Sequence, residues 1–488
     1  MKKKNREETS EQLAIRKEKE RRELQRWERE QQRPKTKGYI WYTMAILAMI
    51  YVVDEITALI GTQMQPDIAE HLFDGRLSIL SLCSAFSLPL MAASMVYKTL
   101  ADRYGRKLFL CINTLGMGAG LFLTFLAGRL GAISGIVLYV VASMFINFFI
   151  PADMQVVYIM EIAPEKGRAT MFATIKAVAT VGVVLIPAMR SVFMGSSNEG
   201  WYWVYLVPAL VAAAACVIAL LQIRESDAFL EQRIRYLKMT DEERQEEASR
   251  RSAEAQAQGG IGNALKFSFA HKQLKWLFIC TFLFRMANIG TGYYSSIASI
   301  YYETAQLTAL LFAYPFSSAL VTWLNGFICD KIGRKLAMAV TSMITLAAFV
   351  LFYLGCLCGW NPTLSGLFIG AFIGGYYSAG DIVNSIMVSE SAPTNLRASI
   401  TSAVNVMSVL GGMIGAILPL IILFATGDNV RVLGVACIAV TVPVLAATIY
   451  FVVRKIGDTT HVDLNTVRGD EWDDNPWWVD LEDNMRMG

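Results

Sequence analysis

An all-α membrane protein, with twelve transmembrane helices in two pseudo-symmetric six-helix bundles, is the fold that this sequence predicts. Three observations carry it: apolar runs long enough to cross a bilayer, basic residues gathered in alternate connections, and two motifs that recur at one offset. Of the 488 residues, 54% are hydrophobic and only 17% are charged, against about 25% in ordinary soluble proteins. The mean hydropathy is +0.41 although both ends are strongly polar. These values exclude a soluble globular enzyme, a disordered chain and a secreted disulfide scaffold. The eight cysteines nearly all sit inside apolar runs and read as small buried hydrophobes. With only His71, His271 and His461, no metal site is expected, and no cofactor is called for. Residues 1–38 lack an apolar core, so no secretory signal is read there.

A bilayer core needs about 20 apolar residues in helix. Twelve segments qualify, near 39–61, 77–97, 108–128, 131–159, 169–190, 201–223, 274–297, 306–328, 336–357, 364–388, 398–424 and 430–453. The connections after segments 2, 4, 8 and 10 hold Lys98, Arg103, Arg106 and Lys107, then Lys166 and Arg168, then Lys331, Arg334 and Lys335, then Arg397. The opposite connections hold at most Arg76, Arg129, Arg190 and Arg431. Basic residues stay on the cytoplasmic side, so both termini and the linker are expected there, in the cell membrane. The resulting organisation is a charged N-terminal helix (1–38), a first bundle (39–223), a cytoplasmic linker (224–273), a second bundle (274–453) and an acidic tail (454–488). Residues 1–38 carry fourteen Lys/Arg and eight Glu, and the tail carries four Lys/Arg and nine Asp/Glu. The apolar Leu13, Ile15, Leu24 and Trp27 make no wide stripe, so the N-terminal helix reads as solvated, with a surface-lying or partner-binding helix as the alternative. Neither end carries a nucleic-acid module.

The string KTLADRYGRK (98–107) after segment 2 returns as GFICDKIGRK (326–335) after segment 8, an offset of 330 − 102 = 228. EIAPEKGRAT (161–170) after segment 4 returns as ESAPTNLRAS (390–399) after segment 10, an offset of 390 − 161 = 229. Two unrelated strings that agree to one residue point to a duplicated six-helix unit.

These motifs resemble the major facilitator superfamily of transporters, whose hallmark is D-[RK]-x-G-R-K after spans 2 and 8. The E-x-A-P-x-x-x-R string, GWYWVYLVPAL entering segment 6 and RESDAFLEQR leaving it resemble the sugar porter and metabolite–proton symporter branches. The first copy departs from the pattern by carrying Lys98 where the second has Gly326. The resemblance implies a gating network of Asp102, Arg103, Arg106, Glu161, Arg168 and Glu225 in the first half, and of Asp330, Arg334, Glu390 and Arg397 in the second. Arginine forks suit carboxylates, and Gly105 and Gly333 suit a tight turn. The bland alternative is that these charges only set topology.

Charges inside spans are costly. Asp54 and Glu55 lie in segment 1, Asp153 in 4, Lys176 in 5, Arg285 in 7 and Asp381 in 10. Asp153 stands eleven residues before Pro164 and Lys176 eleven after Glu165, which places them at one depth and predicts that they face each other. In the duplicate hairpin Asp381 and Asn405 stand twelve residues either side of Pro393. By resemblance, Lys176 occupies the position of a sugar-binding Gln, and Phe284 and Arg285 stand near a second such Gln. A cation in place of an amide shifts the pocket from sugar towards anion. Asp54 matches the family's proton-carrying acid, but its span 4 Arg partner would fall near Val141 and is missing, so Glu55 and Asp153 are held beside it as proton-coupling candidates. Asn288, Tyr293, Tyr294, Tyr377 and Asn384 complete the expected substrate pocket. The expected function is secondary active transport of a small polar organic solute, an organic anion first, by alternating access with proton symport. A sugar or polyol symporter, a drug–proton antiporter and a non-transporting sensor are the alternatives. The expected partners are the solute, protons and the lipid bilayer; no nucleic acid is expected, and the chain is read as a monomer. Nothing in the sequence suggests an enzyme.

Overall fold

The computed structural model describes residues 10–32, 38–87, 104–150, 154–162, 168–194, 200–247, 261–381, 386–392 and 397–459, with single positions between 89 and 101 and Ser249, and without the side chains of some of these residues. Every regular element among the described residues is a helix. Hydrocarbon offers backbone groups no partner, so a chain this apolar satisfies them within each helix. Among the described residues, nine helices are long and apolar enough to cross a membrane: Tyr39–Gln63, Arg106–Leu130, Ala132–Val156, Thr174–Phe193, Trp203–Gln222, Thr304–Cys329, Arg334–Leu357, Ile400–Thr426 and Val430–Lys455. They correspond to spans 1, 3, 4, 5, 6, 8, 9, 11 and 12 of the sequence reading.

The other three spans are present in pieces. Span 2 begins as Leu77–Ala85 and then runs partly outside the described residues. Span 10 is the helix Pro362–Asp381. Span 7 is broken into Lys272–Met286, Ile289–Gly292 and Tyr294–Ala298. The break has a local cause. Gly290 and Gly292 are poor helix formers, and the Thr291 hydroxyl donates both to the Asn288 carbonyl (2.9 Å) and to its side-chain oxygen (2.6 Å). Such bonds give the backbone an alternative to the helix.

Small residues set the closest approaches between helices. Gly366, Gly370 and Gly374 form one stripe of span 10 laid on the span 8 backbone. A Cβ at Gly366 would stand 2.1 Å from the Leu310 carbonyl oxygen, and one at Gly370 would stand 2.1 Å from that of Tyr314. Gly411 and Gly415 do the same for span 11 against span 7, at the Phe282 and Met286 carbonyls, whereas Gly412 meets nothing within 4 Å.

The N-terminal helix, Ser10–Gln32, lies along the linker helix, Asp227–Lys238. Trp27 packs edge-on against Phe229 at 5.5 Å, in a patch closed by Leu24, Leu230, Ile234 and Leu237. Around this patch Glu20 pairs with Arg244 (3.0 Å), Glu23 with Arg233 (2.8 Å) and Glu28 with Lys238 (2.8 Å). The partner of this helix is therefore in its own chain. Surface pairs of this kind contribute about 0–1 kcal/mol each, so the apolar patch carries most of the docking. We call the side with the linker and both ends of the described chain the terminal face, and the opposite side the far face.

Replacing Gly370 by Val should destabilise the second half by about 1–3 kcal/mol or more, since overpacking here would push on backbone. Gly412→Ala is the control. A thermal shift in detergent should fall for the first and stay unchanged for the second.

Candidate functional site

The terminal-face turns are built alike in both halves. Gly105 and Gly333 take φ of +115° and +122° immediately before spans 3 and 9, a region that favours glycine. The first amides of a helix have no partner within it and carry the positive end of its dipole. In the first half Glu225, just past span 6, fills that place: its carboxylate accepts from the backbone N–H of Arg106 (2.8 Å) and of Lys107 (3.0 Å). A Cβ on Gly105 would stand 2.5 Å from a Glu225 carboxylate oxygen, so the glycine is needed twice over. In the second half Asp458, just past span 12, accepts from the Lys335 N–H (3.2 Å). Glu390 accepts from the Arg334 guanidinium (3.4 Å) and from the Thr459 hydroxyl (2.6 Å). Of the gating residues named by the resemblance, Glu225 thus takes the Arg106 backbone amide in the first half and Glu390 the Arg334 guanidinium in the second; Asp458, which the sequence reading did not name, joins the second. Asp102, Arg103, Asp153 and Asn384 lie outside the described residues, as do the side chains of Glu161, Arg168, Asp330, Asp381 and Arg397. The expected facing of Asp153 and Lys176 therefore falls outside them too.

The two halves are sealed together at the far face. The Ser78 amide and hydroxyl both donate to Asp428 (2.6 and 2.9 Å). Tyr293 donates to Ser81 (3.1 Å), Ser295 to the Gln63 carbonyl (2.9 Å) and Ser296 to the Gln65 side-chain oxygen (2.8 Å). Arg190 donates from Nε to Thr308 of the other half (3.1 Å) and forks onto Asp67 of its own, with one arm at 2.9 Å. The Arg190 and Asp67 side chains are 1% and 3% exposed. Burial pushes the Asp67 carboxyl above its usual range, and the Arg190 guanidinium opposes that. The sequence reading placed Arg190 among the sparse charges of the connections; the structure puts it inside the span 5 helix, at the seal. A hollow of about 350 Å³ lies against this seal, with Asp67, Glu70, Arg190 and Glu303 on its wall.

Several expected site residues converge behind the seal. Tyr294 is fully buried and stacks on Tyr314 of span 8 at 5.8 Å. Tyr314 stands in electrostatic range of Glu55 and Tyr377. Tyr377, edge-on to Tyr376 at 5.3 Å, is 43% exposed. Phe284 stacks on Tyr376 at 4.9 Å, nearly parallel. The Arg285 guanidinium stands beside the Tyr376 hydroxyl, and its buried Nε has no hydrogen-bond partner among the described residues. Gly380 of span 10 lies against the Phe284 ring. Asp54 is 6% exposed, and Lys176 is half-buried on the terminal-face half of span 5. Asn405 is exposed on span 11. Within the first half a cavity of about 240 Å³ is walled by Thr57, Thr62, Gln65, Thr124, Asn147 and Tyr205 and carries no charged side chain among its described lining. The buried Tyr205 hydroxyl has no partner among the described residues.

Comparisons with known proteins agree with this architecture. A family model described as Major Facilitator Superfamily matches residues 40–416 and 277–465. A D-xylose–proton symporter structure superposes with a TM-score of 0.63 at 14% identity, covering 86% of this chain and 99% of that one. The xylose transporter XylE from E. coli in its inward open conformation gives 0.62 at 14%, covering 87% and 98%. A bacterial homologue of the human lysosomal transporter Spinster, inward-facing and unoccupied, gives 0.52 at 16%, covering 86% and 95%. No curated protein matches the sequence.

Arg190→Gln removes the main counter-charge of a buried carboxyl, and breaking such a pair costs about 3–5 kcal/mol. A cysteine at Ser296, in a Cys358→Ser background, should then become open to labelling from the far face. Glu225→Ala should cost about 1.5–3 kcal/mol, the worth of hydrogen bonds to a charged group. Asp458→Ala, which removes a longer bond to one amide, should lower the melting temperature less.

Proposed function

The chain belongs to the Major Facilitator Superfamily, and on that premise we propose that this transporter moves a small organic anion by alternating access with proton symport. The terminal face is the cytoplasmic one in this reading, because the basic connections lie there. The state described, sealed at the far face, is the one open towards the cell interior.

The observation that carries the cargo reading is Arg285. A guanidinium inside a span is costly and presents donors only, and its buried Nε lacks a partner among the described residues. It stands beside Tyr376, whose ring packs against the exposed Tyr377. A carboxylate would accept from such a donor and offset its charge. Asp54, buried in span 1, supports the coupling reading. A carboxyl there exchanges its proton with whichever side is open, and its neutral form crosses the barrier more cheaply. Glu55, near Tyr314, is the second candidate.

A neutral polyol is the second reading, favoured by the cavity of hydroxyls and amides in the first half, uncharged among its described lining, and by the sugar that the D-xylose–proton symporter of the same fold carries.

The test is uptake into proteoliposomes of labelled organic acids and of polyols, with and without an inward proton gradient. Acid uptake stimulated by the gradient is expected. Arg285→Gln should reduce it roughly ten- to hundredfold, in line with about 1.5–3 kcal/mol for a charged hydrogen bond. Polyol uptake that is indifferent to Arg285→Gln would establish the second reading, and acid uptake that ignores the gradient would refute symport.

A further inference from the structure

Docking on the linker sorts the charges of the N-terminal helix. Its acids Glu20, Glu23 and Glu28 turn to Arg244, Arg233 and Lys238. Its other side presents Arg22, Arg26 and Arg29, all exposed, around a hollow of about 660 Å³ completed by Gln25, Glu30 and Gln32. Arg22 keeps one local partner, Glu18 at 2.9 Å, and Arg26 lies over the Trp27 ring at 4.9 Å. The helix is fixed to the first half through Arg224, which donates to the Glu30 carbonyl (2.5 Å), while the backbone N–H of Arg224 donates to the Tyr39 hydroxyl (3.0 Å).

The segment of complementary charge is in the same chain. Residues 470–483 hold seven carboxylates, Asp470, Glu471, Asp473, Asp474, Asp480, Glu482 and Asp483, and no Lys or Arg. Trp472, Trp477 and Trp478 stand among them, and indole faces also attract guanidinium groups. The root of this segment is held on the terminal face of the second half. Gln273 exchanges two hydrogen bonds with the Gly457 backbone (3.2 and 2.9 Å), and Asp458 and Thr459 reach Lys335 and Glu390. Eleven residues separate Thr459 from Asp470, a reach of up to about 36–40 Å.

We infer that the acidic segment 470–483 docks on the Arg22–Arg26–Arg29 face of the N-terminal helix. The contact ties the terminal face of the first half to that of the second. Charge complementarity gives the contact its strength and its salt dependence. Its consequence for the transport cycle rests on the alternating-access reading above, whereas the docking does not.

Limited trypsin digestion of the full chain in detergent, read by mass spectrometry at Arg22, Arg26 and Arg29, tests this. Truncation after Gly469 should raise cleavage there about tenfold, as expected for the loss of a few surface ion pairs. A synthetic peptide of residues 468–488 should restore protection, and molar salt should abolish it. Arg26→Glu combined with Arg29→Glu should abolish the effect of the peptide with the circular dichroism spectrum unchanged. Equal cleavage with and without the tail overturns the inference. Protection that requires phosphatidylserine vesicles and ignores the truncation overturns it as well, and gives this face to the bilayer. Neither readout depends on cargo uptake, so failure of the transport reading leaves the test intact.

Discussion

Hydrocarbon supplies no hydrogen-bond partner and little screening of charge, and the arrangement of this protein follows from how each polar group is provided for. Backbone groups are satisfied inside helices. Helix ends are satisfied by carboxylates carried on the neighbouring span, as Glu225 is for span 3 and Asp458 for span 9. Arg190 and Asp67 are withdrawn from water together, each offsetting the other. Arg285 differs, because its Nε has no partner among the described residues.

The duplicated halves share a design without sharing every residue. Each closes the turn before its third helix with a glycine in the left-handed region and a carboxylate from just past its sixth. Glu225 takes two amides, and Asp458 takes one while Glu390 gathers Arg334 and Thr459. The physical requirement, an anion at a helix start, is kept while the side chain that meets it changes. At the far face the design is different in kind. Short hydroxyl and amide bonds from Ser78, Ser295 and Ser296 join the halves around one buried ion pair. The hydroxyl bonds to neutral acceptors contribute about 0.5–1.5 kcal/mol net each, and those to the Asp428 carboxylate about 1.5–3.

Helix packing separates what must hold from what must move. The Gly366–Gly370–Gly374 stripe brings span 10 onto the backbone of span 8 with no room for a side chain, which makes that pair a rigid body. Span 7, broken at Asn288–Tyr293, sits against it and supplies both Arg285 and the seal residues Tyr293, Ser295 and Ser296. Arg285 and the seal residues thus lie on one chain segment, on either side of its break.

Apolar run length, basic loops and the two repeated strings were sufficient to predict the helices and the two-bundle fold. Those features depend on local composition and on spacing along the chain. The sequence also marked Arg285 as a costly charge that needs a reason. The Asp67–Arg190–Thr308 seal, the role of Asp428 towards Ser78 and the capping by Asp458 were decided by tertiary structure alone. Each joins residues from about 120 to 350 positions apart, and no periodicity links such pairs. The N-terminal helix makes the same point. Its sequence shows mixed charge all round, and only the linker beside it turns Glu20, Glu23 and Glu28 to one side and leaves Arg22, Arg26 and Arg29 on the other. Partner choice among charges is fixed by where the backbone brings them and by how much water is removed there, and neither is written in the order of the residues.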